Sequence, residues 1–386
     1  MLGDAILALV TLALVGGLAL AAWRVSERVA RRVWLLAFVL VVNGGIATMS
    51  AHAFVAKWGF RGDEPRTGLE HMIDGTAHRP FVYRRLAPEL VGAVTAAVEA
   101  RVSPARLASF AESSPLKRYR YYEEHWTPHK AVAFHAAYVF LWLSLFGVSM
   151  AAAALAHAVR GGSAFSALLA GAVVAALSPL TLVHGAYLYD APELLLWTTL
   201  LTFLVKDWNL ATIPIFLLMA INKESALIAL PAVAVFHWQR RGLLAAVQWT
   251  APLALVGGLW VLYVRHKYAS HDGGAIESWL SQNVRFWTHP GLFFRVGTYY
   301  APALPAPRGL NIVVLALIFL PFRFGWPLTP KPLRAALLVT AVILVPLFVV
   351  ASYMDEIRAL GLVFPLLFVV TLQGVHALLV AKAPKS

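Results

Sequence analysis

Apolar residues fill this chain in long runs, and charged residues gather at the ends of those runs. A membrane-crossing helix needs about 20 consecutive apolar residues. Eleven stretches meet or approach that length: 4–23, 33–55, 131–157, 165–185, 191–205, 208–221, 225–238, 243–264, 309–322, 335–352 and 359–380. The pattern predicts an all-α, polytopic transmembrane bundle forming one integral domain over 1–386. The short stretches 191–205 and 208–221 are expected to tilt or to draw on their polar flanks. Residues 292–304 are apolar but hold Arg295 and Pro302, with Pro305 just beyond, which predicts an interfacial or re-entrant segment. No positive region precedes Asp4–Trp23, so this stretch reads as a retained span and not as a cleaved signal.

Two long segments separate the runs. Segment 56–130 opens with a polar loop. It then predicts two short amphipathic helices, 86–102 and 103–114, lying along the membrane surface. Ser103 followed by Pro104 is the start signal of the second. Segment 265–308 carries RHKY, HDGG and a proline-rich return.

Composition supports the membrane reading: 60% of the 386 residues are hydrophobic and 13% charged. A soluble domain has roughly 25% charged residues. With no cysteine, disulfides, thiolate nucleophiles and cysteine-bound metals are excluded. The net charge of +13 reads as basic cytoplasmic loops facing anionic lipid, with part of the excess available to a phosphorylated substrate. Arginines in 24–32, Arg160, Lys206, Arg240, Arg241, Arg323, Lys331, Arg334, Lys382 and Lys385 fall on one side if the N-terminus is periplasmic and the C-terminus cytoplasmic. There is no Walker A loop, no GxGxxG and no HExxH, so a nucleotide-driven step has no support.

On this topology four charged clusters share the outer face. They are Asp63-Glu64, Asp190 with Glu193, Lys223-Glu224, and Asp355, Glu356 and Arg358. An ionisable group at bilayer depth costs at least about 2.5–3.5 kcal/mol, so several at one face imply a shared polar site. Asp63 or Glu64 could act as a general base, hold a divalent cation (Mg or Mn), or be a solvated loop pair. The run 71–90 offers Asp74, His78, Arg79, Tyr83, Arg84 and Arg85, whose guanidinium forks suit phosphate or lipid headgroups. In HGAYLYDAPE, Asp190 could cap the helix that follows, while His184, Tyr187 and Tyr189 form a rim. Lys223 and Glu224 could satisfy each other, as could Arg358 and its neighbouring carboxylates. His266 and Lys267 are reserve cations at the end of a span.

The GDE at 62–64, the two interfacial helices and the outer turns YDAPE, NKES and DEIR resemble the membrane-embedded glycosyltransferases of the GT-C type. The resemblance is architectural and covers roughly 33–365, with one additional span ahead of the family's first. It implies transfer of a sugar from a polyprenyl phosphate to a glycan or lipid acceptor, at the extracytoplasmic face of a bacterial inner membrane. It implies Asp63 as catalytic base with Glu64 beside it, and a role in cell-envelope polysaccharide. The substrate-binding set would come from Asp74, His78, Arg79, Tyr83, Arg84, Arg85, Tyr189, Asp190, Glu193, Lys223, Glu224, His266, Lys267, Glu356 and Arg358. Two other readings remain: an O-antigen or exopolysaccharide polymerase or ligase using polyprenyl diphosphates, and a lipid or solute transporter.

Overall fold

A computed structural model describes residues 27–62, 64–119, 125–181, 185–274, 278–298, 305–307 and 309–380. It is a helical bundle. Helix α1 (Glu27–Phe38) passes through a π-helical turn at Val39–Asn43 into α2 (Gly44–Trp58). Short α3 (Leu69–Ile73) leads to two surface helices, α4 (Leu86–Glu99) and α5 (Pro104–Ser113). Then come α6 (Pro128–Arg160), α7 (Ala164–Leu177), α8 (Asp190–Val205) and α9 (Asn209–Asn222). A 3-10 turn at Glu224–Ala229 runs into α10 (Leu230–Arg241), followed by α11 (Leu243–Lys267) and α12 (Leu280–Trp287). The chain closes with α13 (Ile312–Gly325), α14 (Lys331–Ala351) and α15 (Phe364–Val380).

Local chemistry sets the ends. Thr127 accepts from the Lys130 amide at the start of α6, with Pro128 at its first position. Ser163 does the same for α7. Asn311 caps α13 through the Val313 amide. Gly161, at φ 70, ends α6 in a conformation that a side chain resists.

Among the described residues four helices are long and apolar enough to cross a membrane: Val29–Trp58, Pro128–Arg160, Leu243–Lys267 and Lys331–Ala351. Shorter apolar helices lie at Ala164–Leu177, Asn209–Asn222, Ile312–Gly325 and Phe364–Leu379. Fourteen residues of helix rise only about 21 Å. The stretch 4–23 lies outside the described residues. Segment 292–304 forms no membrane-spanning helix in its described part. Its described part is the end of a 3-10 turn (Pro290–Phe294) and β1 (Val296–Thr298), which pairs antiparallel with β2 (Pro305–Pro307). Pro305 begins a strand on an edge, where its missing N–H costs little.

Small residues let the helices close up, as membrane bundles require. A Cβ on Gly171 would overlap the Ser149 carbonyl of α6. One on Gly325 would overlap Val370, and one on Gly374 would overlap Pro321, so α13 and α15 touch backbone to backbone. Among the described residues two large apolar cores form, with a smaller third around Met72, Val82, Tyr189 and Tyr268. Trp197, Leu200, Leu201, Phe216, Phe236 and Leu253 anchor one; Phe54, Val55, Phe134, Ala137 and Leu141 anchor the other. Both reach α8, whose N-terminus therefore sits where the cores meet.

Candidate functional site

The site grows from one extended residue. Lys223 (φ −162, ψ 136) interrupts the helical path between α9 and the 3-10 turn. Successive side chains of an extended backbone point to opposite sides. Lys223 therefore turns one way, to Glu193 Oε2 at 2.6 Å and Asp190 Oδ1 at 3.5 Å. Glu224 turns the other, to the fork of Arg84: Nη2 to Oε1 at 2.6 Å and Nε to Oε2 at 3.1 Å. The expected Lys223–Glu224 pair is thus replaced by two pairs with other elements. Asn222 fixes the turn by donating to the Tyr189 carbonyl at 2.9 Å.

Asp190 and Glu193 occupy the first turn of α8, three residues apart and so on one face. The positive end of the helix dipole favours both carboxylates. Asp190 Oδ2 accepts from the Tyr187 amide at 3.0 Å, so it braces the turn ahead of the helix. Ser225 donates to Glu193 Oε1. Arg358 completes the cluster from the turn after α14. Its Nη1 is 3.5 Å from Asp190 Oδ1, and its Nη2 pairs with Glu356. Asp355 is fully buried against Gly309.

Aromatic rings floor the cluster. Tyr187 and Tyr189 stack at 5.2 Å between centroids and 6° between planes. Arg84 lies 4.3 Å over Tyr189, and Arg358 lies 4.5 Å over Tyr187. Arg61 lies 4.7 Å over Tyr187 and donates to its hydroxyl at 3.2 Å. Arg61, directly ahead of the GDE at 62–64, is not among the residues that charge placement alone marks out. Its φ of 53 is a left-handed conformation that a side chain adopts only under constraint. Glu64 is tied to the same rim, held by Thr67 and 3.9 Å from Arg61 Nη1. Asp63 lies outside the described residues.

The burial of these charges sets the electrostatics. Arg84, Lys223, Asp190 and Glu193 are all buried. Burial works against the Arg84 charge, but Glu224 outweighs it and the pKa is raised. Arg358 behaves alike, with Asp190 and Glu356 outweighing burial. Burial also holds the Tyr189 phenol well above its usual range.

The arginine run does not form one phosphate-facing set. Arg84 is committed to Glu224. Arg85 is turned to the Met72 and Ile73 carbonyls and to Glu89, where it pins α3 to α4. Arg79 donates to the Gly273 carbonyl at 2.8 Å and ties the loop to segment 265–308. Arg84 and Arg85 spend their donors on protein acceptors, whereas Arg79 makes this one bond from Nη2 and its Nε is buried without an acceptor among the described residues. Tyr83 packs near Tyr268, Asp74 is exposed at the end of α3, and His78 is half-buried. His266 and Lys267 are exposed at the end of α11 and do not join the cluster.

A narrow cleft runs from the cluster into the bundle. Asp190, Glu193 and Arg358 line its polar end; Phe54, Leu141 and Phe364 are among its apolar walls. Among the described residues no three His, Asp or Glu side chains gather as a metal site. The oxygens of Asp190 and Glu193 that face the cleft are already paired with Lys223 and Arg358. The donor set at the cleft therefore does not fit a divalent cation.

No protein-family model, no curated protein and no solved structure matches this chain.

Proposed function

We propose that this chain is a GT-C-like glycosyltransferase of a bacterial inner membrane, with about eleven spans, a periplasmic N-terminus and a cytoplasmic C-terminus. The supporting observation is the paired-charge cluster of Asp190, Glu193, Lys223 and Arg358 at the head of a cleft between apolar helices. That arrangement offers a polar seat to an amphipathic donor with a charged head and a long hydrocarbon tail, the tail lying outside the narrow cleft along the apolar helix faces. A polyprenyl-phosphate sugar has this form.

In the proposed reaction an acceptor hydroxyl oxygen attacks the anomeric carbon as the bond to the phosphate oxygen breaks. The polyprenyl phosphate departs with the electron pair, and the configuration inverts. Asp63 takes the hydroxyl proton, a role proposed from its place in the sequence beside Glu64. Asp190 and Glu193 are poor candidates for that base, because their oxygens already face Lys223 and Arg358. Arg358 and Arg61 flank Tyr187, and the Nε of each is buried without a hydrogen-bond acceptor among the described residues. They are the proposed stabilisers of the departing phosphate. They replace Arg79, Arg84 and Arg85 in that role. No step is assigned to a metal.

The chain in lipid nanodiscs, offered a panel of undecaprenyl-phosphate sugars with a mixed glycolipid acceptor pool, should release undecaprenyl phosphate from at least one donor. A polymerase or ligase would instead release undecaprenyl diphosphate from diphosphate-linked glycans. Absence of both releases, with the protein monodisperse, would leave a transporter as the reading to pursue.

A further inference from the structure

A second and wider groove lies on the surface helices, lined without any residue of the charge cluster. Helix α4 contributes Leu90, Val94 and Val98 to one wall, and α6 contributes Val139 and Leu143 to the other. Phe110 of α5 closes the third side, its ring 4.6 Å from that of His135. The His135 Nδ1 is 2.8 Å from the Ala131 carbonyl of its own helix, which keeps that nitrogen from acting as a ligand.

These walls are bare. Val94 is 50% exposed, and Val139 and Leu143 are 53% exposed each. An apolar trough of this kind is not left to water. Its α6 wall belongs to a helix long and apolar enough to cross the membrane, so the trough opens toward hydrocarbon. The lining follows α6 from Val132 to Leu143, about 16 Å of helix axis. One fatty-acyl chain fills such a length; a long polyisoprenoid overruns it.

Charge names the headgroup. Arg106, near the start of α5, is on the lining, is exposed, and has no carboxylate partner among the described residues. An unsatisfied guanidinium beside an apolar trough is complementary to a lipid phosphate with a net negative charge. A zwitterionic lipid offers the same phosphate but cancels its charge with an ammonium.

We propose that the groove between α4, α5 and α6 seats one anionic diacyl phospholipid, with an acyl chain along α6 and the phosphate on Arg106. The bound lipid completes the packing between the surface helices and the bundle. The site is separate from the proposed reaction and does not depend on it.

The test is native mass spectrometry of the detergent-purified chain titrated with phosphatidylglycerol or phosphatidylcholine of identical acyl chains. One phosphatidylglycerol per chain should resist delipidation, and phosphatidylcholine should bind about tenfold less well. Val139→Trp fills the groove from its exposed side and should lower retention at least tenfold. Val94→Trp does the same from α4 and serves if the first variant misfolds. Arg106→Glu should abolish the preference for phosphatidylglycerol. Equal retention by wild type and a correctly folded groove-filled variant would overturn the proposal, as would equal binding of the two lipids to wild type. Displacement of the bound phosphatidylglycerol by an equimolar amount of undecaprenyl phosphate would also overturn it and give the groove to the donor.

Discussion

Lys223 Nζ stands 2.6 Å from Glu193 Oε2, with both side chains nearly closed to solvent. The two residues belong to different helices and meet only because the backbone breaks at Lys223. Removing one partner of a buried pair costs about 3–5 kcal/mol, while replacing both with apolar groups is often neutral. Lys223→Met and Glu193→Leu should each lower the unfolding free energy by about that amount. The double change Lys223→Met with Glu193→Leu should recover more than half of the loss. Chemical denaturation of the purified variants reads the cycle, and strictly additive losses would show that the pair is not coupled.

Arg84 and Arg85 should respond differently to loss of the guanidinium. The Arg84 fork engages both oxygens of Glu224, a geometry an ammonium cannot copy. Hydrogen bonds to charged groups contribute about 1.5–3 kcal/mol, so Arg84→Lys should lose stability in that range. Arg85 shares its ion pair with a Glu89 whose side chain is 63% exposed. Its pair contributes about 0.2–1 kcal/mol. Thermal unfolding should therefore place Arg85→Gln, which retains amide donors for the Met72 and Ile73 carbonyls, nearer to wild type than Arg84→Lys.

Arg358→Gln should weaken donor-lipid binding about tenfold to a hundredfold, since one charge-assisted contact is removed. Arg61→Gln should do the same, whereas Arg79→Gln should bind like wild type. Equilibrium binding of a fluorescent polyprenyl phosphate distinguishes these outcomes. A large loss at Arg79 alone would return the phosphate to the loop at 79–85.

Asp63→Asn keeps the side-chain shape and removes the charge. General acid–base catalysis typically contributes about 100- to 10,000-fold. Turnover should fall by that order while membrane insertion and donor binding persist. A rate within a few-fold of wild type would move the base to Glu64.

A reporter active only outside the cytoplasm, fused after Lys385, should be silent. Placed within 103–116 it should be active. The opposite pattern would invert the proposed orientation and put the charge cluster on the cytoplasmic face.

Much of the helical framework was legible, because a run of apolar residues leaves the backbone no solvent to bond with and forces a helix. Stretches 131–157, 191–205 and 243–264 coincide with α6, α8 and α11. The surface helices at 86–102 and 103–114 coincide with α4 and α5. The convergence of the turns at 190, 223 and 358 was also legible from charge placed at span ends. The pairing was not. Arg84 finds Glu224 across 140 residues, and no local spacing encodes that contact. Arg61 carries no local signal, because its place comes from a left-handed backbone and a tyrosine 126 residues away.

Because Arg358 already holds Asp190 and Glu356, the site resembles an ion exchanger more than an empty anion trap. In the proposed reaction an entering phosphate would trade places with a resident carboxylate. That internal competitor would hold ground-state affinity down and recapture the guanidinium as the polyprenyl phosphate departs. Turnover would then draw on a reversible swap of partners within a nearly constant local charge, and the site would never carry a bare cation into the membrane.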